Sequence, residues 1–224
     1  VIETPPIATL PVAGAEAVFP VRRVYCIGRN YAAHAIEMGH DPDREPPFFF
    51  QKNPNNLDAS GEFPYPPHSN DVHHEIEMLV ALKSGGRNIP LDQALDHVYG
   101  YGVSLDMTRR DLQGQMKKMG RPWEIGKAFE QSAPVGPVHP VDSVGHPASG
   151  LVQLKVNGEV RQECDLNQMI WKVPEMISYL SEYIELAAGD VILSGTPSGV
   201  GPFQRGDSIE STVEGLVALT VSVT

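Results

Sequence analysis

Glycine and proline punctuate this chain from one end to the other, 21 and 20 of them in 224 residues, and no single linker gathers them. Between them lie short runs rich in Val, Ile and Leu. Both residues break regular structure and set turns, so the pattern predicts a β-rich fold with many turns. The segment LVQLKV-NG-EVRQEC (151–164) gives the sharpest local signal. Two alternating runs flank Asn157-Gly158, a pair that favours the type I′ turn of a tight hairpin. Further strands are expected at VRRVYCIG (21–28), EIEMLVALK (75–83), VYGYGVSLDM (98–107), VILSGT (191–196), DSIEST (207–212) and LVALTVSV (216–223), with FFF (48–50) as a buried one. Helices are expected at NYAAHAIEMG (30–39), ending at Gly39, and at TRRDLQGQMKKMG (108–120), stopping at Gly120. A third opens at Pro174, with Met176, Ile177, Leu180, Tyr183 and Ile184 on one face. Strands outnumber helices and do not alternate regularly with them, which argues against a doubly wound parallel sheet.

A hydrophobic fraction of 41% and a charged fraction of 20% belong to a globular protein, long enough here to bury a sizeable core. The net charge of −11 argues against nucleic acid or an anionic membrane as partner, since both need a basic footprint. An anionic substrate would need a local cation, and a metal ion is a natural one. Cys26 and Cys164 lack CxxC spacing and are expected as buried free thiols. No basic leader with an apolar stretch and no run of membrane-spanning length is visible, so a cytoplasmic setting is expected.

Glu75 and Glu77 stand two apart at the start of an expected strand, so both carboxylates point to one face. MLVAL follows at once and must be buried, which places the pair at the edge of the core. Asp106 closes another apolar run, GYGVSLDM. Three carboxylates form a hard ligand set that suits Mg²⁺, Mn²⁺ or Ca²⁺ rather than zinc, and they leave positions open for water and substrate. His73 and His74 suggest zinc, but no second His or Cys cluster completes such a site. A solvated strand face remains the other reading of the two glutamates.

Five blocks, in order, carry a resemblance: GRNYAAHAIEMG, HHEIEMLVAL, GYGVSLDMTRRDLQ, RPWEIGKAFEQSAPVGP and GDVILSGTPSGVG. In sequence and in order the chain resembles the fumarylacetoacetate hydrolase family, over nearly everything from Val21 onward. The resemblance implies a β-rich mixed α/β fold, a mixed β-sandwich roll with short helices. The expected division is an N-terminal arm (1–20) and one catalytic domain (21–224). It implies that Glu75, Glu77 and Asp106 hold Mg²⁺ or Mn²⁺, and that His34 and Glu37, on one face of a lid helix, are the catalytic pair. Lys127 would face the substrate and stabilise a developing enolate. Arg110 and Gln113 would contact its carboxylate and oxo groups, and Thr196 of SGTPSGVG would meet the carboxylate. That glycine-rich segment lacks the Gly-Lys-Ser/Thr ending of a P-loop.

The activity implied is hydrolysis of a carbon–carbon bond in a 2,4-dioxo acid, with fumarylpyruvate, an intermediate of gentisate breakdown, as the nearest substrate. Its second carboxylate would need a cation, for which Arg29 and Lys52 are the candidates, ahead of Arg44 and Arg121. Oxaloacetate decarboxylation, a dienoate isomerase, a general acylpyruvase and a non-enzymatic metal-binding protein are the rivals. His34 and Glu37 favour the hydrolase, and the family implies a homodimer.

Overall fold

The structure is a computed structural model that describes residues 2–3, 6–33 and 47–224. Two sheets form its frame. The larger has six strands in the order His139–Pro140, Val98–Leu105, Ile76–Leu82, Asp190–Leu193, Arg23–Gly28 and Phe48–Lys52. Only the pairing of Asp190–Leu193 with Arg23–Gly28 is parallel. The second sheet has five strands, Glu159–Asp165, Leu151–Val156, Ser208–Val213, Leu219–Val223 and Glu62–Phe63. Asn157 and Gly158 turn its hairpin with φ of 51° and 81°, the positive pair that a type I′ turn requires.

The larger sheet is covered on both faces, which is why its central strand, Ile76–Leu82, is buried at every position. Met78 and Val80 share one core with Val152, Leu154, Ile209 and Val221 of the second sheet. Leu79 and Ala81 point the other way, into a smaller core with Val24, Cys26, Val191 and Leu193. The strands Thr9–Pro11 and Val18–Pro20 form an N-terminal hairpin that closes this smaller core with Leu10 and Phe19. Sheet packed on sheet, with helices confined to the margins, is the sandwich roll that the resemblance implies.

The helices Arg110–Met119 and Val173–Tyr183 fall where the sequence places them, the first capped by Gly120. Met176, Ile177 and Leu180 are buried, but Tyr183 is 61% exposed and meets the rings of Tyr179 and Phe49 at a tilt. The helix ends at Tyr183, so that ring sits at its terminus rather than along the buried face. The FFF run is a strand, yet it is half-buried rather than buried, because Phe48–Lys52 is the edge of its sheet. Cys26 and Cys164 are both free, Cys26 buried and Cys164 partly so. Among the described residues no helix is long and apolar enough to cross a membrane.

Candidate active site and metal centre

Antiparallel pairing builds the carboxylate cluster. Ile76 opposes Leu105, so the start of one strand lies beside the end of its neighbour. Glu75 precedes the first strand, Asp106 follows the second, and the Asp106 amide donates to the Glu75 carbonyl at 2.8 Å. Glu77 lies on the face of Leu79 and Ala81, two residues from Glu75 as the alternation requires. Leu193, opposite Leu79 and beside Cys26, brings the end of a third strand to the same place. The three carboxylates are buried, with oxygens within 4.8 Å of one another.

Cations crowd this group. Lys127 Nζ lies 2.9 Å from Glu75 Oε2 and 2.7 Å from Asp106 Oδ2. Arg110 pairs with Glu75 Oε1. Lys52 Nζ is 2.9 Å from Asp106 Oδ1, behind the cluster. Burial draws the Lys127 ammonium down, but Asp106 and Glu75 outweigh this and hold it above its ordinary value, so it acts as a donor. Burial, then the charges of Asp106 and Glu75, push the Glu77 carboxyl well above the usual range. Lys127 and the Gly195 amide, which donates to Glu77 Oε2 at 2.7 Å, oppose that rise. Gly195 has φ +90°, and a Cβ there would lie 2.7 Å from Asn30 Cβ, so the turn that aims this amide needs glycine.

The residues fit a divalent cation. Asp106 Oδ1 is buried and makes no hydrogen bond, although Lys52 is close. The Lys52 ammonium is directed at Ser132 Oγ (2.9 Å), Ser132 O (3.2 Å) and the Lys127 carbonyl. Three buried hard carboxylate ligands, with oxygens within 4.8 Å of one another, are what a divalent ion satisfies.

The cleft above the triad is lined by Arg29, Arg110, Gln113, Lys117, Lys127 and Thr196. Arg110, Gln113 and Lys117 are spaced to share one face of their helix. Arg110 Nη1 donates to Gln113 Oε1 at 2.8 Å, and its Nε donates to His73 Nδ1 at 3.3 Å. His73 therefore carries its proton on Nε2, 2.8 Å from Asp71. Burial and Arg110 lower its pKa, and no zinc site forms around it among the described residues.

Lys52 departs from expectation. It is 3% exposed, held by backbone carbonyls and Asp106, and is not among the residues that line the cleft. It sits where it can fix Asp106, not where it would meet a substrate carboxylate. Arg121 lines an adjoining surface groove with Phe49 and Ile184 and is not among the residues that line the cleft. His34, Glu37 and Arg44 lie outside the described residues; Ala32 and Ala33, which precede His34, are helical.

Gln162, Asn30, Lys117, Phe48 and Trp123 also serve this site, and the sequence reading did not single them out. Gln162 is 1% exposed on a strand otherwise mostly exposed, and a polar residue at the inward position of a strand is the signal that could have found it. Asn30, fully buried, donates to Ser194 O at 2.7 Å and Trp171 O at 2.9 Å and accepts from Trp171 N at 2.7 Å. It ties the end of the strand Arg23–Gly28 to the turn that carries Thr196.

The chain belongs to the fumarylacetoacetate hydrolase family, whose model for the fumarylacetoacetate hydrolase C-terminal region matches residues 23–224. The crystal structure of fumarylpyruvate hydrolase from Pseudomonas aeruginosa, in complex with Mn²⁺ and pyruvate, superposes with a TM-score of 0.98 at 51% identity. That match covers 100% of this chain and 98% of the other. Among curated relatives, the mitochondrial oxaloacetate tautomerase of Homo sapiens is 40% identical over 202 residues, 90% of this chain and 91% of its own. An oxaloacetate tautomerase of Escherichia coli K12 is 41% identical over 203 residues, 90% and 93% respectively.

Proposed function

We propose that this chain hydrolyses the C3–C4 bond of an acylpyruvate, with fumarylpyruvate as substrate and fumarate and pyruvate as products. The observation that carries this reading is the buried lysine Lys127, set across two carboxylates of a metal-binding triad and facing a cleft lined with further cations. The similarity to a fumarylpyruvate hydrolase crystallised with Mn²⁺ and pyruvate supports it. Glu75, Glu77 and Asp106 would hold Mg²⁺ or Mn²⁺, which supplies Lewis acidity and a template for a chelating 2-oxo acid. Among the described residues Lys52, Arg110 and Lys127 pair with carboxylates of the triad, so a divalent ion would add positive charge that an anionic substrate offsets.

Thr196 and Arg110 receive the C1 carboxylate, and Gln113 the oxo group beside it. His34, supported by Glu37, takes a proton from water as its oxygen adds to C4. The C3–C4 bond then breaks; C4 leaves as the carboxylic acid and C3 as pyruvate enolate. Lys127, kept protonated by its neighbours, donates to the enolate oxygen. Protonation of C3 completes pyruvate.

The oxaloacetate tautomerases among the relatives favour a second reading, proton transfer at C3 of oxaloacetate, which uses the same triad and lysine but no attacking water. Steady-state assays of fumarylpyruvate, acetylpyruvate and oxaloacetate separate them. The reading requires kcat/KM highest for fumarylpyruvate. Equal or faster turnover of acetylpyruvate marks a general acylpyruvase, and oxaloacetate enol–keto exchange without hydrolysis marks a tautomerase. We also infer a homodimer, because among the described residues the strand Phe48–Lys52 is a half-apolar edge of its sheet; a monomer mass by light scattering would contradict it.

A further inference from the structure

Arg29 and Lys117 line the cleft of the carboxylate triad, and among the described residues neither pairs with a carboxylate. Each lies against an aromatic ring instead. Arg29 Cζ is 5.2 Å from the centroid of Phe48, and Lys117 Nζ is 5.8 Å from that of Trp123. The two rings meet edge to face with centroids 5.6 Å apart, and both line the cleft. The result is a row, Arg29–Phe48–Trp123–Lys117, with apolar faces between two cations.

The fold fixes both ends of the row. Arg29 has φ 59°, a left-handed conformation uncommon outside glycine, and the next residue is the buried Asn30 with its bonds to Ser194 and Trp171. A strained residue imposed by its neighbours beside a cleft is the usual mark of a functional position. Lys117 lies on the helix face of Arg110 and Gln113. Arg110 and Lys117 are about 10 Å apart along that helix, at a rise of about 1.5 Å per residue. Burial, then Arg29 and Arg110, draw the Lys117 ammonium below its ordinary value, so these like charges feel one another and an anion among them relieves the repulsion.

We infer that Arg29 and Lys117, with Phe48 and Trp123 between them, form a second anion subsite that takes the distal carboxylate of a long dicarboxylic 2-oxo acid. The proximal carboxylate stays at Thr196 and Arg110, and the aromatic pair packs against the carbon chain. A seven-carbon dianion spans this arrangement better than a four-carbon one. The inference rests on the reading of the triad as a 2-oxo acid site.

The test is calorimetric titration of the Mn²⁺-loaded protein with 2-oxoheptanedioate and with 2-oxoheptanoate. The two have the same length, differ only in the distal carboxylate, and lack the C4 oxo group needed for cleavage. The dianion is expected to bind roughly ten- to a hundred-fold more tightly, the value of a charge-assisted hydrogen bond. Lys117→Met, which keeps the helix and the contact with Trp123, should lose most of that preference, the loss falling mainly on the dianion, and Lys117→Arg should restore it. Equal affinities in the native protein, or a preference that survives Lys117→Met, would overturn the subsite. A preserved dianion preference in a protein that does not cleave fumarylpyruvate would support the subsite and remove the hydrolase reading alone.

Discussion

Gln162 Nε2 donates to Thr196 Oγ1 at 2.9 Å, and through the same amide nitrogen to Pro197 O at 2.9 Å. Its Oε1 accepts from the Ile76 amide at 3.1 Å and from His74 Nδ1 at 3.2 Å, so the amide has one consistent orientation. Burial lowers the pKa of His74 to about 4, which keeps the ring neutral at pH 7 with its proton on Nδ1. The chain of donors runs from His74 through Gln162 to Thr196. Because the Thr196 oxygen accepts from Gln162, its own proton is free to point into the cleft.

Gln162→Glu should reverse that last link, since a carboxylate accepts the Thr196 proton. KM should rise about tenfold, the value of one lost hydrogen bond to a charged group, with kcat changed far less. Thr196→Val removes the same donor and should match it if the buried glutamate unfolds the protein. A fall in kcat at unchanged KM would place Thr196 in the chemical step instead.

Chelation should abolish activity, and Mg²⁺ or Mn²⁺ should restore it. Because the triad is buried and preformed, an ion at a hundred times its Kd should stabilise the fold by about 2.7 kcal/mol, visible as a rise in Tm. Glu77→Gln should lose that rise. Activity that persists after exhaustive chelation would remove the metal from the reading.

The sheets were legible in the sequence wherever burial is two-sided or turn chemistry is strict, as in IEMLVAL and the Asn157-Gly158 hairpin. Edges were not: apolar content foretold a strand at Phe48–Phe50 but not that it lies at the margin of its sheet. Of the site, the triad was readable because its members flank apolar strands. Lys127 and Lys52 carry no local mark of which one faces the cleft, one standing between Gly126 and Ala128 and the other between Gln51 and Asn53. Strand register pairs Lys52 with Val24 and turns it behind Asp106, while the short helix Glu124–Lys127 brings Lys127 to the cleft. Gln162 reaches Thr196 across 34 residues of chain, a contact no local pattern encodes.

The placement of Lys52 makes it a positioning residue. Lys52→Met leaves Asp106 Oδ1 with no cation on that side, and its side chain and that of Asp106 are 0% and 1% exposed. Removing one partner of a fully buried pair typically costs about 3–5 kcal/mol, the lower end being expected because Lys127 still pairs with Asp106. Denaturant unfolding checks this. If Lys52 only positions Asp106, kcat/KM should fall by the same factor for fumarylpyruvate and acetylpyruvate; a selective loss for fumarylpyruvate would return it to the substrate.

Burial pushes the Cys164 thiol from 9.0 up to about 11, with Asp165 and Glu163 adding to the rise and Tyr31 opposing it. The native state thus keeps this proton where the unfolded chain has lost it. The contribution is complete below pH 9 and is lost as pH climbs to 11. Tm of the native protein should therefore fall more over that interval than Tm of Cys164→Ala. Parallel curves for the two would show that the thiol titrates alike in both states.

The general base is the remaining test, and it rests on sequence, since His34 and Glu37 lie outside the described residues. The ligands and Lys127 sit on strands and a short helix of the core, whereas His34 and Glu37 belong to the segment that follows Asn30. Metal affinity and hydrolysis should therefore separate. His34→Ala should lower kcat for fumarylpyruvate by roughly 10²–10⁴, the contribution of a positioned general base. Mn²⁺ affinity by calorimetry should stay within a few-fold of the parent, because no ligand is touched. Oxaloacetate decarboxylation needs the enolate sink at Lys127 but no attacking water, so any such activity should survive better than hydrolysis. Hydrolysis within a few-fold of the parent would mean that another group activates the water, and an equal loss of both activities would mean that His34 serves closure of the site rather than the proton transfer.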